Sequence, residues 1–129
     1  MTDPIGAMLN MLKNAGNARK PSIIVPFSKL KFAIAECLKA QGYVESVSKK
    51  ARKGLPYLEI GIRYEQNSPV IHEVKRISKP SRRMYMGVKD IKSIKGGRGM
   101  TVLSTPKGIL RDKDARKEMV GGESLFSIW

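Results

Sequence analysis

MTVLSTPKGILRDKDARKEMVGGESLFSIW, residues 100–129, is the stretch on which the reading of the chain turns. Met100-Thr-Val-Leu103 is a strand-like run that ends on two adjacent hydroxyls, Ser104 and Thr105. Pro106-Lys107-Gly108 then breaks it with a basic turn. Residues 111–120 read as a short charged helix, Gly121-Gly122 interrupts the chain, and residues 123–129 alternate as a final strand. No catalytic grouping is present in this stretch. It reads as a platform that offers two hydroxyls, backbone amides and the Glu123 carboxylate to a polar partner.

The sequence around this platform is strongly basic. Residues 75–98 carry nine basic side chains and one acid, Asp90, whereas residues 99–129 carry five basic against four acidic. The whole chain of 129 residues has a net charge of +14, which favours a polyanionic partner. A hydrophobic fraction of 41% suffices for a folded core and argues against a disordered basic tail. The length fits one domain or two very small ones. Cys37 and His72 are single, so neither an internal disulfide nor a set of zinc ligands is expected, and no cofactor is. No apolar run reaches membrane-spanning length, and the early Asp3-Pro4 does not resemble a signal peptide. Cytoplasm, or the interior of an organelle of bacterial descent, is the expected compartment, with no membrane partner. Without a Ser-His-Asp, Cys-His or paired-carboxylate grouping, an enzyme is not expected.

Further upstream, Thr2-Asp3-Pro4 reads as a helix start, and Ile5, Met8, Leu9, Leu12 and Ala15 recur at helical spacing until Gly16. Residues 22–25 read as a strand. Ser28 caps a second helix, residues 29–41, with Leu30, Ala33, Ile34, Cys37 and Leu38 as its apolar face and Gly42 as its stop. Lys29 and Lys31 stand in its first turn, where the helix dipole disfavours cations, which hints at a use for their charge. Residues 43–48 and 55–64 read as strands, with Leu58, Ile60 and Ile62 on the buried side. The basic tip between them, residues 49–54, is either a phosphate contact or a solvated loop. Turn-rich residues 66–69 mark the expected boundary between two subdomains, 1–66 and 67–129. Residues 70–77 and 82–86 read as further strands, and residues 90–95 as a helical turn. Arg82, Arg83 and Tyr85 interleave base and aromatic, a composition that suits nucleic acid, although Tyr85 also fits a half-buried strand position. Gly96-Gly97-Arg98-Gly99 lacks the spacing of a nucleotide-binding loop.

Taken in order, these residues carry a resemblance. Ser104-Thr105-x-x-Gly108, Ala115-Arg116 and Gly121-Gly122-Glu123 before a hydrophobic last strand resemble the bacterial family of ribosomal small-subunit protein number eight. Asp3-Pro4-Ile5, Pro26-x-Ser28-Lys29-Leu30-Lys31, Gly42-Tyr43-Val44 and Arg76-Ile77-Ser78-Lys79-Pro80 leading to Arg83-x-Tyr85 extend the similarity over nearly the full length.

The resemblance implies an α+β fold in two small subdomains. The first is a helix-strand-helix-strand-strand unit, and the second is mainly β with one short helix. It implies a structural protein that binds a hairpin in the central domain of small-subunit ribosomal RNA and lies beside neighbouring small-subunit proteins. It also implies an alternative role, repression of its own operon messenger through the same surface. It points to Tyr85, Ser104, Thr105, Lys107, Gly121, Gly122 and Glu123 as RNA-binding residues, to which the first-turn charges, the base–aromatic interleaving and the close-approach glycine add Ser28, Lys29, Lys31, Arg82, Arg83 and Gly108 as candidates. A groove lined with 2′-hydroxyls suits Ser and Thr, which donate and accept. Glu123 would order the Ser-Thr loop or accept from a base amino group, or else be a surface acid. Two departures stand out. Many members have a third serine where this chain has Pro106, which removes a hydroxyl and an amide donor and stiffens the loop. Arg98 replaces a usual apolar residue and would add a phosphate contact.

Overall fold

Proline at the first helical position and an apolar stripe build the first element. A computed structural model of the chain describes residues 3–91 and 99–129. Helix α1, Pro4–Asn17, buries Ile5, Met8, Leu9, Leu12 and Ala15 along one face. Gly16 does not end it. That glycine is itself buried, and a Cβ there would stand 3.0 Å from the Pro69 ring. Asp3 is not simply a cap: its carboxylate grips the Arg76 guanidinium through two bonds, 3.0 Å to Nε and 3.1 Å to Nη2. Thr2 lies outside the described residues, as do residues 92–95 of the expected helical turn and Gly96, Gly97 and Arg98.

Strand β1, Ser22–Pro26, is followed by helix α2, Lys29–Ala40. Ser28 is its N-cap, accepting from the Lys31 N–H at 3.1 Å. Its fully buried residues are Ile34, Ala35 and Leu38, while Leu30 is exposed, so the apolar face is rotated from the expected one. Strands β2, Val44–Arg52, and β3, Leu55–Ile62, complete an antiparallel sheet in the order β1-β3-β2. Leu58, Ile60 and Ile62 are buried in it, as alternation predicts. The tip of the hairpin is shorter than expected. Only Lys53 and Gly54 turn, both with positive φ, and Lys49, Lys50 and Arg52 ride on β2 itself.

Residues 66–69 are no bare linker. Gln66 and Asn67, both left-handed, turn a two-residue hairpin between β4, Tyr64–Glu65, and β5, Ser68–Pro69. The chain divides into two compact units, residues 5–72 and residues 1–4 with 73–129. In the second unit β6 is only Val74–Arg76 and β7 only Tyr85–Met86, both shorter than the runs expected. His72 is outside any strand. A 3₁₀ turn, Val88–Asp90, follows. Then come β8, Met100–Thr105, β9, Gly108–Arg111, helix α3, Asp112–Lys117, and β10, Gly122–Ile128. Helix α3 is shorter than the expected 111–120 at both ends, because Arg111 pairs with β8 and left-handed Met119 closes the helix after Lys117.

Strand β10 is the spine of this unit. It pairs with β8 on one edge and with β6 and β7 on the other. The register slips at Leu125, a bulge opposite Val102 and Leu103. Met100, Val102, Leu103, Leu125, Phe126 and Ile128 fill its core. Thr101 and Ser127 face each other in register and share a buried hydrogen bond of 3.1 Å, which satisfies both hydroxyls.

Among the described residues, α1, α2 and α3 end the same way. Lys20 N–H bonds to Ala15 O and Arg19 N–H to Gly16 O. Tyr43 N–H bonds to Leu38 O and Gly42 N–H to Lys39 O. Val120 N–H bonds to Ala115 O and Met119 N–H to Arg116 O. This paired pattern needs a left-handed residue just past the helix. Glycine supplies it only at position 42. Arg19 has φ 61° and Met119 φ 58°, and Met119 is 78% exposed. A side chain in that region costs about 1–2 kcal/mol. Replacement Met119→Gly is therefore expected to raise stability by about 0.5–1 kcal/mol after the extra freedom of glycine in the unfolded chain is subtracted. Urea unfolding measures it; no gain, with Met119→Ala equal to Met119→Gly, would show that the left-handed backbone carries no cost there.

Candidate nucleic-acid interface

Antiparallel pairing gathers residues that the sequence holds far apart. Glu123 of β10 lies opposite Tyr85 of β7 on one side and Ser104 of β8 on the other, and Ser104 lies opposite Ile109 of β9. Directly paired residues point to the same face, so Tyr85, Glu123, Ser104 and Ile109 form one row across four strands. Tyr85 is 73% exposed, which removes the half-buried reading of it. Beside the row is an open groove lined by Tyr85, Gly87, Ser104, Thr105, Pro106 and the Gly121-Gly122 backbone, among others.

The two glycines admit the chain's own backbone. A Cβ on Gly122 would fall 2.1 Å from the Ser104 carbonyl oxygen, and one on Gly121 2.3 Å from the Met86 carbonyl oxygen. Both are impossible contacts, so β7 and β8 close on β10 only because no side chain intervenes.

Ser104 and Thr105 are not equivalent. Strands β8 and β9 are joined by Pro106-Lys107, with Thr105 paired to Gly108. The Thr105 hydroxyl donates to Gly108 O at 2.8 Å and accepts from Lys107 N–H at 3.1 Å. Its proton is spent on the turn, leaving one lone pair. Among the described residues the Ser104 hydroxyl has no partner, so it keeps both donor and acceptor capacity. Gly108 has φ 109° and serves the turn. The Lys107 ammonium meets Glu118 at 3.2 Å, both side chains half exposed.

Glu123 belongs to an internal network. One carboxylate oxygen accepts from the Ser78 hydroxyl and, at 2.9 Å, from Arg83 Nη1. Ser78 is fully buried and its oxygen also accepts from Met84 N–H at 3.2 Å. Burial pushes the Glu123 carboxyl up, but the Ser78 and Arg83 bonds and the charges of Arg83 and Arg76 outweigh it and hold it below the usual carboxylate range. Sequence reasoning did not single out Ser78. The only signal was its place in Arg76-Ile77-Ser78-Lys79-Pro80.

The other expected residues differ in how far they are committed. Arg83 is bound to Glu123, whereas Arg82 is exposed on a tight turn closed by mutual Lys79 and Arg82 backbone bonds. Lys75, Lys79 and Lys89 are also exposed in this unit. Ser28, Lys29 and Lys31 belong to the other compact unit. There Ser28 caps α2, Lys31 reaches the Pro26 carbonyl at 3.2 Å, and Lys29 is exposed. Among the described residues no three His, Cys, Asp or Glu side chains gather as metal ligands, and no helix is long and apolar enough to cross a membrane.

Two outcomes follow from this geometry. A carboxyl held low in the folded state stabilises above its ordinary value of 4.5. That contribution is lost as pH falls through the lowered native value. Glu123→Gln is therefore expected to cost about 1–2 kcal/mol at pH 7, with the gap to the unmodified protein closing as pH drops below 4.5. Denaturation at stepped pH reads this out; a gap independent of pH would mean that the charge of Glu123 is immaterial. Gly122→Ala is expected to cost more, about 3 kcal/mol or above, since backbone must move. A Gly122→Ala protein with an unchanged unfolding midpoint would contradict the close approach.

Comparison with known proteins places the chain. Residues 3–129 match the family model for Ribosomal protein S8. The chain is 43% identical over 130 residues to the small ribosomal subunit protein uS8 of Ruegeria sp. strain TM1040, covering all of both chains. It is 44% identical to that of Ruegeria pomeroyi over 130 residues, again covering all of both chains. It is 45% identical to that of Cupriavidus metallidurans over 128 residues, 99% of this chain and 98% of the relative. On a family match over nearly its whole length and full-length relatives above 40% identity, the chain belongs to the Ribosomal protein S8 family.

Proposed function

We propose that this chain is a structural, non-enzymatic component of the small ribosomal subunit that binds a hairpin stem in the central domain of small-subunit ribosomal RNA. A messenger element that copies the stem would fit the same surface. The observation that carries the reading is the cross-strand row of an exposed tyrosine, a pinned carboxylate and an uncommitted serine beside an open groove. The Ser104 hydroxyl can donate to and accept from a 2′-hydroxyl or a base edge in a shallow A-form minor groove. Tyr85 offers a face for stacking on an unpaired base. Exposed Lys75, Lys79, Arg82 and Lys89 of the same unit supply attraction to phosphates. Pro106, in place of a third serine, leaves hydroxyl recognition to Ser104 and to one lone pair of Thr105.

The test is a titration of the folded protein against a central-domain hairpin and a scrambled duplex of equal length, at two salt concentrations. Ser104→Ala is expected to weaken hairpin binding about 5–10-fold, the worth of one hydrogen bond, and leave duplex binding nearly unchanged. Tyr85→Ala should cost at least as much, and Tyr85→Phe less, if stacking is its role. Equal losses on both RNAs would show that charge alone drives association, and the reading would fall.

A further inference from the structure

Strand β1 is an edge of the β1-β3-β2 sheet. The Ile62 N–H donates to the Pro21 carbonyl at 2.9 Å, and the Phe27 N–H to the Pro56 carbonyl at 3.2 Å. With Ile23 opposite Ile60 and Val25 opposite Leu58, these bonds make residues 21, 23, 25 and 27 the ones that face β3. The backbone N–H and C=O groups of Ser22 and Ile24 therefore point out of the sheet. Among the described residues these four groups have no partner. Pro26 has no N–H, and its carbonyl is already taken by the Lys31 ammonium. The strand Ser-Ile-Ile-Val-Pro bears no charge, and Ile24 is 57% exposed. Edges are normally blunted by charge, proline or a bulge. Here prolines flank the strand at both ends, but Pro21 faces β3 and only Pro26 blunts the outer edge.

We propose that the free edge of β1 is a docking site for an extended, acid-flanked segment of a neighbouring protein, which adds a strand through Ser22 and Ile24. The proposal rests on the ribosomal reading above and names the surface for a protein partner. Alternating donors and acceptors are what a strand presents. RNA phosphates only accept, and the donors of RNA, its 2′-hydroxyls and base amino groups, do not alternate with acceptors at the residue spacing of a strand, so a peptide backbone is the better match for the Ser22 and Ile24 groups. Ile24 gives the incoming strand an apolar contact. Arg19 and Lys20 precede the strand and Lys29 follows it, all three exposed, so carboxylates on either side of an incoming segment complement both ends.

Hydrogen exchange at single-amide resolution tests this on the unmodified protein in three states: free, bound to the central-domain hairpin alone, and in a small subunit reconstituted from the full protein set. The Ser22 and Ile24 amides should exchange fast in the first two and slow by roughly 100-fold or more in the third. Carbodiimide coupling in the subunit should join Lys20 or Lys29 to a carboxylate of another protein. Ile24→Lys should bind the hairpin as the unmodified protein does and lose that protection. Fast exchange in the assembled subunit overturns strand addition and leaves the ribosomal reading standing. Protection already present in the free protein, or on the hairpin alone, means an internal or RNA cover and also overturns it. A chain that never enters the subunit ends both readings.

Discussion

No side chain stands between β10 and its neighbours at Gly121 and Gly122, and the surface beside them depends on that gap. The carbonyl oxygens of Met86 and Ser104 occupy the places where two Cβ atoms would be. Sheet neighbours normally keep the spacing of their backbone hydrogen bonds, with Cβ atoms directed out of the plane. Here two successive residues give way, and the ends of β7 and β8 are drawn onto the start of β10. Tyr85, Glu123 and Ser104 lie in register directly beside this gap. Glu123 then fastens the arrangement from within. It ties Arg83 and the buried Ser78 to β10, so the turn that leads into β7 and Tyr85 is anchored at both of its ends.

What could be read from sequence followed the range of the interaction. The cap at Ser28, the stripe of α1 and the alternation at Leu58, Ile60 and Ile62 are local, and each appears where its residues predict. Strand β9 was missed because Gly108-Ile109-Leu110-Arg111 has no strong pattern of its own and is a strand only by pairing with β8. Residues 70–77 erred the other way: a β-like run became three residues of strand, since regular pairing with β10 runs only from Phe126 to Ile128 and gives way at the Leu125 bulge to single bonds from Ile77 and Ser78. Gly16 looked like a helix stop and is a packing position, and the stop is Arg19, a residue with no turn signature.

The site divided along the same line. Its residue types were legible through the family resemblance, down to the tyrosine, the hydroxyls and the double glycine. Their commitments were not. Ser78 and Glu123 are 45 positions apart, and Arg83 and Glu123 are 40 apart, so no local pattern announces the network. Nor does the sequence distinguish two adjacent hydroxyls, one closing its own turn and the other open.

The charge around the groove completes the account. In a chain of net charge +14, cations next to the Ser104 row would be expected to dominate it. Instead Arg83 is matched by Glu123, and Lys107 at the hairpin tip by Glu118. Attraction to phosphate falls with salt and is blind to sequence and shape. A hydrogen bond from a fixed hydroxyl is short-ranged and directional, and discriminates by geometry. If the row binds RNA as proposed, local neutralisation would keep the first effect from masking the second where they compete. The cations with no acidic partner among the described residues, Lys75, Lys79, Arg82 and Lys89, stand outside the row, where on the proposed reading they would draw a polyanion in without deciding which one stays. Glu123 beside a polyanion is then no paradox. On the proposed RNA-binding reading, it is the charge that would let a basic protein present a nearly neutral recognition surface.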